Sequence, residues 1–166
     1  SSDLVFCMIF FLTGCNDTTN IPAGTAVNLY YVGNEETKVE VREYSLQAKD
    51  MDGQLEEVLL QLSTPPSKLE YKAPLSMGFS LLEYEVEDGR LQLDMDEAYK
   101  TLKPTTEVLV RAALVRSLTQ IEGVGYISIT VEGEQLHDSL GNVVGLMTAE
   151  QFIDNAGNEI NSYERA

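Results

Sequence analysis

The stretch LEYEVEDGRLQLDM, residues 82–95, limits the fold more tightly than any other part of the chain. Leu82, Tyr84 and Val86 alternate with Glu83, Glu85 and Glu87, and Leu91, Leu93 and Met95 alternate with Arg90, Gln92 and Asp94. Alternation with period two marks strands that bury one face. Asp88-Gly89 sits between the two runs, and a type I′ turn prefers that dipeptide because both central residues need positive φ. A hairpin over 79–95 is therefore expected, with Glu87 opposite Arg90.

VNLYYV (27–32) and KVEVREY (38–44) alternate in the same way and are joined by the Gly/Asn stretch GNEET, which predicts a first β-pair. The period changes at LEEVLLQL (55–62), where Leu55, Val58, Leu59 and Leu62 fall at i, i+3, i+4 and i+7, the stripe of a helix packed on one face. Asp52 or Gly53 is suited to cap its start. Thr64-Pro65-Pro66-Ser67 ends it, because proline lacks the amide hydrogen and clashes with the preceding turn. A second helix is expected from Thr106 to Ile121, with Thr105 as N-cap and Gly123 as its stop. Its buried stripe is Val110, Leu114, Leu118 and Ile121, with Glu107, Arg116 and Gln120 pointing elsewhere.

YISITVEG (126–133) reads as a further strand, VVGLM (143–147) as a weak edge strand, and Thr148 with Gln151 as a capping box for a short helix through Asp154. The order is β-β-α-β-β-α-β plus that weak strand and short helix. It predicts an α+β fold with a single mixed or mainly antiparallel sheet and both helices on one face.

The 166 residues suit one domain, and 43% apolar with 23% charged residues is an ordinary globular balance. The 27 acidic against 11 basic residues give a net charge of −16, which repels phosphate backbones and excludes nucleic acid as an expected partner. The bland account of the charge is a dispersed, solvated acidic face; an acidic docking surface for a basic partner is the sharper one.

Both cysteines, Cys7 and Cys15, lie in the first 15 residues, so the body of the chain holds no disulfide framework or CxxC metal site. A single histidine, His137, disfavours His-rich metal sites and most Ser-His or Cys-His catalysis. Asp50 and Asp52 before Gly53 have half the look of a calcium loop, but helix follows and capping accounts for them better. Asp94, Asp96 and Glu97 form a second acidic group, with Asp94 and Asp96 on one face of a strand; a solvated strand end accounts for it better than a shared cation. His137-Asp138-Ser139 holds triad residue types side by side, which is not triad geometry, and a turn before Gly141-Asn142 explains it better. No nucleophile elbow, dinucleotide or phosphate loop occurs. The reading is non-enzymatic, with no catalytic residue, cofactor or metal.

LVFCMIFFL (4–12) is too short to span a bilayer and matches the core of a secretory signal. The tetrad Leu12-Thr13-Gly14-Cys15 that follows resembles the bacterial lipobox. That resemblance implies that Cys15 is the lipidated first residue of a mature lipoprotein and that residues 1–14 are a signal peptide. Ser1-Ser2-Asp3 supplies neither Met nor a basic start, so the signal is read as truncated. The competing account of the run is a buried first strand. Residues 15–25, polar and Pro/Gly-containing, read as a tether, and 154–166 as a polar tail.

The body between them, 26–153, resembles the GerM-type sporulation and spore germination domain. The resemblance is carried by VNLYYV, LEEVLLQLSTPPS, EDGRLQLDMDEAY and VLVRAALVRSLTQIEGV running into GYISITVEGE. Thr64-Pro65-Pro66 stands where the family has Gly-Pro, Met95-Asp96 stands where it usually has a serine, and one domain copy is present where some members carry two. The resemblance implies a non-catalytic, extracytoplasmic α/β module, held at the bacterial cell membrane through the lipid on Cys15. Its implied partners are envelope or sporulation proteins, met through an edge strand or helix face in envelope assembly, sporulation or germination. The alternative is a ligand-binding lipoprotein gripping a cell-wall fragment or cation in a pocket rimmed by Tyr30, Tyr84 or Tyr126; a small domain leaves little room for one.

Overall fold

The computed structural model describes residues 24–67 and 70–152. The lipobox with Cys15, most of the tether and the polar tail lie outside the described residues.

β1 (Ala26–Gly33) and β2 (Val39–Ser45) pair antiparallel, each within a residue or two of the expected bounds. α1 (Met51–Ser63) follows. Its cap is Asp50, whose Oδ1 accepts the Gly53 amide at 3.1 Å, two residues before the position expected. Thr64 closes it, donating its amide to Gln61 O, just ahead of the two prolines. The buried stripe is Leu55, Val58, Leu59 and Leu62, as the spacing dictates.

After the two-residue β3 (Tyr71–Lys72), the hairpin β4 (Leu81–Glu87) and β5 (Arg90–Met95) forms with Glu87 opposite Arg90. Asp88 and Gly89 sit at φ 52° and 79°, as the turn type requires. A register shift between Leu81 and Glu83 bulges the start of β4.

A short 3₁₀ turn, Glu97–Thr101, leads to α2 (Pro104–Leu118). Lys103, not Thr105, is its N-cap residue, because Pro104 takes the first helical position, where a missing amide hydrogen costs nothing. The helix stops three residues short of Ile121, which instead closes a tight turn through Ile121 N–H to Leu118 O. β6 (Tyr126–Val131) then pairs parallel with β5, so β5, α2 and β6 form a crossover unit. Glu132 and Gly133, both at positive φ, turn the chain into β7 (Glu134–Gln135).

The expected single sheet is in fact two: β2-β1-β3, and β4-β5-β6-β7. The fold remains α+β with two helices, and the cause of the split is local. β3 pairs with β1 only at Val32 and Gly33. Further along that edge, α2 and the turn after it occupy the backbone: Ser117 Oγ accepts the Tyr30 amide, and the Gln120 side chain bonds both the N–H and the C=O of Asn28. The edge is closed to a strand from the other sheet.

Position between the two sheets also explains why α2 is buried around most of its circumference. Its expected stripe is joined by Val108, Leu109, Ala112, Ala113 and Val115. It packs on β1 and β2 and also on β6, with α1 alongside. Leu91, Leu93 and Met95 of β5 and Ile127, Ile129 and Val131 of β6 point into the same core. VVGLM contributes bridges at His137–Val143 and Ile127–Met147 in place of an edge strand. The capping pair does form: Gln151 Oε1 accepts the Thr148 amide at 3.1 Å, at the start of the 3₁₀ turn Ala149–Phe152.

Candidate functional site

Three of the acidic residues flagged by the sequence, Asp50, Asp94 and Glu97, are engaged within the fold, whereas Asp96 buries Oδ1 with no hydrogen-bond partner among the described residues. Asp50 is a helix cap, with Oδ1 on the Gly53 amide. Asp94 Oδ1 accepts from Thr130 Oγ1 at 2.7 Å and from the Gly133 amide at 2.8 Å, tying β5 to β6 and to the turn beyond it. Glu97 pairs with Lys100. Among the described residues no group of three or more His, Cys, Asp or Glu side chains is placed to hold a metal ion.

Asp138 organises the turn that follows it: Oδ1 accepts the Leu140 and Asn142 amides and Oδ2 the Asn142 side-chain amide. Burial pushes its carboxyl up, but these hydrogen bonds, with the Arg111 charge, hold it below the usual carboxylate value. His137 turns Nδ1 to Gln135 O, not toward Ser139.

A polar network that the sequence did not reveal lies under this turn. Glu107, expected off the buried stripe, accepts from Tyr99 Oη and from Arg111 Nε through the same Oε2, each at 2.7 Å. Both ion-pair side chains are nearly buried, 8% exposed for Arg111 and 12% for Glu107. Tyr99 is fully enclosed, and burial together with the Glu107 carboxylate drives its hydroxyl well above the ordinary tyrosine value. Arg111 also borders a cavity of about 150 Å³ with Asp138, Asn142 and Phe152. The spacing of Glu107 and Arg111, four apart on one helix, was the available signal; the burial around it was not.

Tyr30, Tyr84 and Tyr126, the alternatives for the rim of a pocket, lie apart, and of them Tyr84 borders a small hollow of about 110 Å³ with Glu83, Glu85, Gln92 and Asp94. Tyr30 lies in the first sheet under the Arg116 guanidinium, 4.1 Å from its ring centre. Tyr84 and Tyr126 belong to the second sheet, opposite Leu93 and Arg90 of β5 respectively. A different set converges: Tyr31, Tyr44 and Tyr71, with Arg42 and Gln61, line an open hollow of about 370 Å³. Tyr31 and Tyr71 rings are 4.6 Å apart, and Arg42 stacks 4.8 Å over Tyr71 while reaching Glu70 at 3.3 Å.

Tyr44 donates to Glu57 Oε1 at 2.8 Å, and Glu57 also accepts the Gln47 and Ala48 amides. Burial and that bond push Tyr44 up to about 12. In Glu57 the hydrogen bonds outweigh burial and lower the carboxyl. Tyr31 is raised by burial and by the nearness of Tyr71, against the pull of Arg42. Tyr71 could not be found from sequence, because a two-residue strand carries no periodicity.

Elsewhere the second sheet leaves one face polar. Glu83, Glu85 and Glu87 of β4, beside Asp94, Gln92 and Arg90 of β5, occupy it. Leu82 and Tyr84 are also exposed, 51% and 39%. No helix among the described residues is long and apolar enough to cross a membrane.

Residues 28–137 match the family called Germane, described as sporulation and spore germination. No curated protein matches the chain. Among solved structures, the first GerMN domain of the sporulation protein GerM from Bacillus subtilis aligns over 75% of this chain and 96% of its own, at 16% identity and TM-score 0.55. The tandem GerMN domains of the same protein align over 78% of this chain, at 19% identity and TM-score 0.51, and this chain spans 47% of that tandem. At such identities these two likenesses concern the fold. The family match covers more than half of the sequence, and on it the chain belongs to the Germane family of sporulation and spore germination domains.

Proposed function

We propose that this protein is a lipid-anchored, extracytoplasmic and non-catalytic module that mediates protein–protein assembly in the bacterial cell envelope, in sporulation or spore germination. Cys15, behind Leu12-Thr13-Gly14, is the lipid acceptor, residues 15–25 the tether, 26–153 the working domain and 154–166 a tail. Its partners are envelope or sporulation proteins, and the membrane is reached through the lipid.

The observation that carries this reading is the family match over residues 28–137. The internal chemistry supports it. Glu107, Glu57, Asp94 and Asp138 each accept hydrogen bonds from groups of the same domain. Carboxylates satisfied in this way hold a framework rigid, and a rigid framework presenting exposed strands suits contact.

Metabolic labelling with an alkyne fatty acid tests the anchor: wild-type protein takes up the label and Cys15→Ser does not. Equal labelling of both would remove the anchor from the proposal. Loss of the gene lowers the yield of heat-resistant spores or their germination, and the Cys15→Ser form fails to restore it. Full restoration by the unanchored form would count against a role at the membrane.

The tyrosine hollow of about 370 Å³ favours a second reading, in which a lipoprotein binds a cell-wall fragment. Its size is at the low end for ligand sites. A thermal-shift screen with muropeptides decides it: stabilisation abolished by Tyr71→Ala supports the ligand, and no shift dismisses it.

A further inference from the structure

β4 ends the second sheet, with β5 as its hydrogen-bonded neighbour among the described residues. Its other edge offers alternate backbone N–H and C=O groups, a template for a further strand. Pairing with β5 is regular from Glu83 to Glu87, beyond the bulge. The two margins of this edge differ in kind. On the outer face Glu83, Glu85 and Glu87 are exposed at every second position, beside Asp94, Gln92 and Arg90, so that strip holds four carboxylates and one guanidinium. Arg90 reaches Glu87 at 3.7 Å. On the inner face Tyr84, still 39% exposed, and the partly buried Val86 extend the apolar surface of Leu93 and Leu91.

A second β4 does not fit. Antiparallel pairing of the strand with its own copy sets glutamate against glutamate, and like charges directly opposite are destabilising. The same charges are complementary to a strand of opposite sign. Resting on the assembly role proposed above, we infer that the β4 edge receives an extended basic segment of a partner protein, alternating Lys or Arg with apolar residues. It joins the sheet by strand addition. Its basic side chains lie over Glu83, Glu85 and Glu87, and its apolar ones sit against Tyr84 and Val86.

The probe is the peptide Lys-Val-Lys-Val-Lys-Val-Lys, with Lys-Pro-Lys-Pro-Lys-Pro-Lys as a control of equal charge that lacks the alternate amides. Both are titrated into the isotope-labelled full chain and followed by amide chemical shifts and hydrogen exchange. The Lys-Val peptide is expected to shift and protect amides within 83–87, weakening as salt rises. The Lys-Pro peptide leaves them unchanged. The triple variant Glu83→Gln, Glu85→Gln, Glu87→Gln weakens binding about tenfold, as three exposed charge pairs allow. Exposed glutamines preserve the strand, and unchanged shifts elsewhere verify that.

Equal binding of both peptides, shifts outside β4, or no binding overturns the inference. So does protection of the β4 edge before peptide is added, which would mean that the chain's own outer segments or the β2 strand of a second copy already occupies it. Photocrosslinkers at Glu85 and, in β2, at Val41 keep this separate from the assembly role in cells. Envelope-protein crosslinks from Val41 alone retain assembly and move its surface, whereas crosslinks from neither remove assembly as well.

Discussion

The Tyr30 amide donates to Ser117 Oγ at 2.9 Å across 87 residues of sequence. Three residues on, in the turn just past the end of α2, Gln120 accepts the Asn28 amide at 2.9 Å and donates to the Asn28 carbonyl at 2.6 Å. A side-chain amide carries the same donor and acceptor as a peptide unit, so Gln120 performs for β1 what a neighbouring strand residue would. Ser117→Ala leaves the partly buried Tyr30 amide without its acceptor and is expected to cost about 1–3 kcal/mol. Gln120→Ala, at an exposed position, should cost about 1 kcal/mol. Chemical denaturation measures both, and hydrogen exchange should quicken at Tyr30 and Asn28. Unchanged exchange at both amides would dismiss the substitute-strand account.

Glu107 holds Tyr99 and Arg111 together through one oxygen. Arg111→Met takes the cation from a nearly buried carboxylate and should destabilise by about 3–5 kcal/mol. Combining it with Glu107→Gln should recover part of that loss, because the buried charge goes too. Tyr99→Phe removes one bond and should cost about 1–3 kcal/mol. Thermal unfolding of the wild type, Arg111→Met, Glu107→Gln and the double variant gives the coupling of that pair; strictly additive losses would show that the two side chains do not act as a unit.

Stability should fall at both ends of the pH scale, in part through Tyr44 and Glu57. The Glu57 carboxyl is held below its ordinary 4.5, so its contribution is present above that value and is lost as pH falls through the lower folded value. Asp138 acts in the same direction. Tyr44, raised from 10.0 to about 12, contributes fully below pH 10.0 and loses that contribution as pH climbs toward 12. Tyr31 and Tyr99 add to the alkaline loss. Denaturation midpoints between pH 9 and 12 should therefore fall less steeply in Tyr44→Phe than in wild type, and identical slopes would reject the assignment.

Asp94 is a tie between strands, and its oxygen already serves Thr130 and Gly133. Asp94→Ala should cost about 2 kcal/mol from two lost hydrogen bonds to a charged group. Adding calcium should neither release heat nor raise the melting temperature of the wild type. A calcium-dependent rise that vanishes in the variant would reinstate the cation reading.

Local signals carried well into structure wherever one element sufficed. The alternation around Asp88-Gly89 specified a hairpin and its register, and the 3-4 spacing from Leu55 to Leu62 specified the buried side of α1. The GerM-type resemblance, carried by these same elements, agrees with the family match. What escaped depends on distance. Nothing in α2 or the turn after it shows that Ser117 and Gln120 meet β1, so the division into two sheets was illegible. Pro104 was a readable start that the reading of Thr105 passed over. Glu132-Gly133 repeats the chemistry of Asp88-Gly89, yet only two residues of strand follow it, too few to alternate. The candidate tyrosines were assigned by type, whereas Tyr31 and Tyr71 are joined by a pairing of β1 with β3.

Because α2 supplies interior to both sheets, the domain has no seam along which it divides. A protease cut between the 3₁₀ turn and α2 would leave β1 to β5 without the wall they pack on and α2 with only β6 and β7 of the strands beside it, so neither fragment is expected to fold by itself. Lengthening such a protein by duplication must copy the full β1-to-β7 span, and a half-unit graft brings only exposed core. The smallest heritable piece of this architecture is the whole of it.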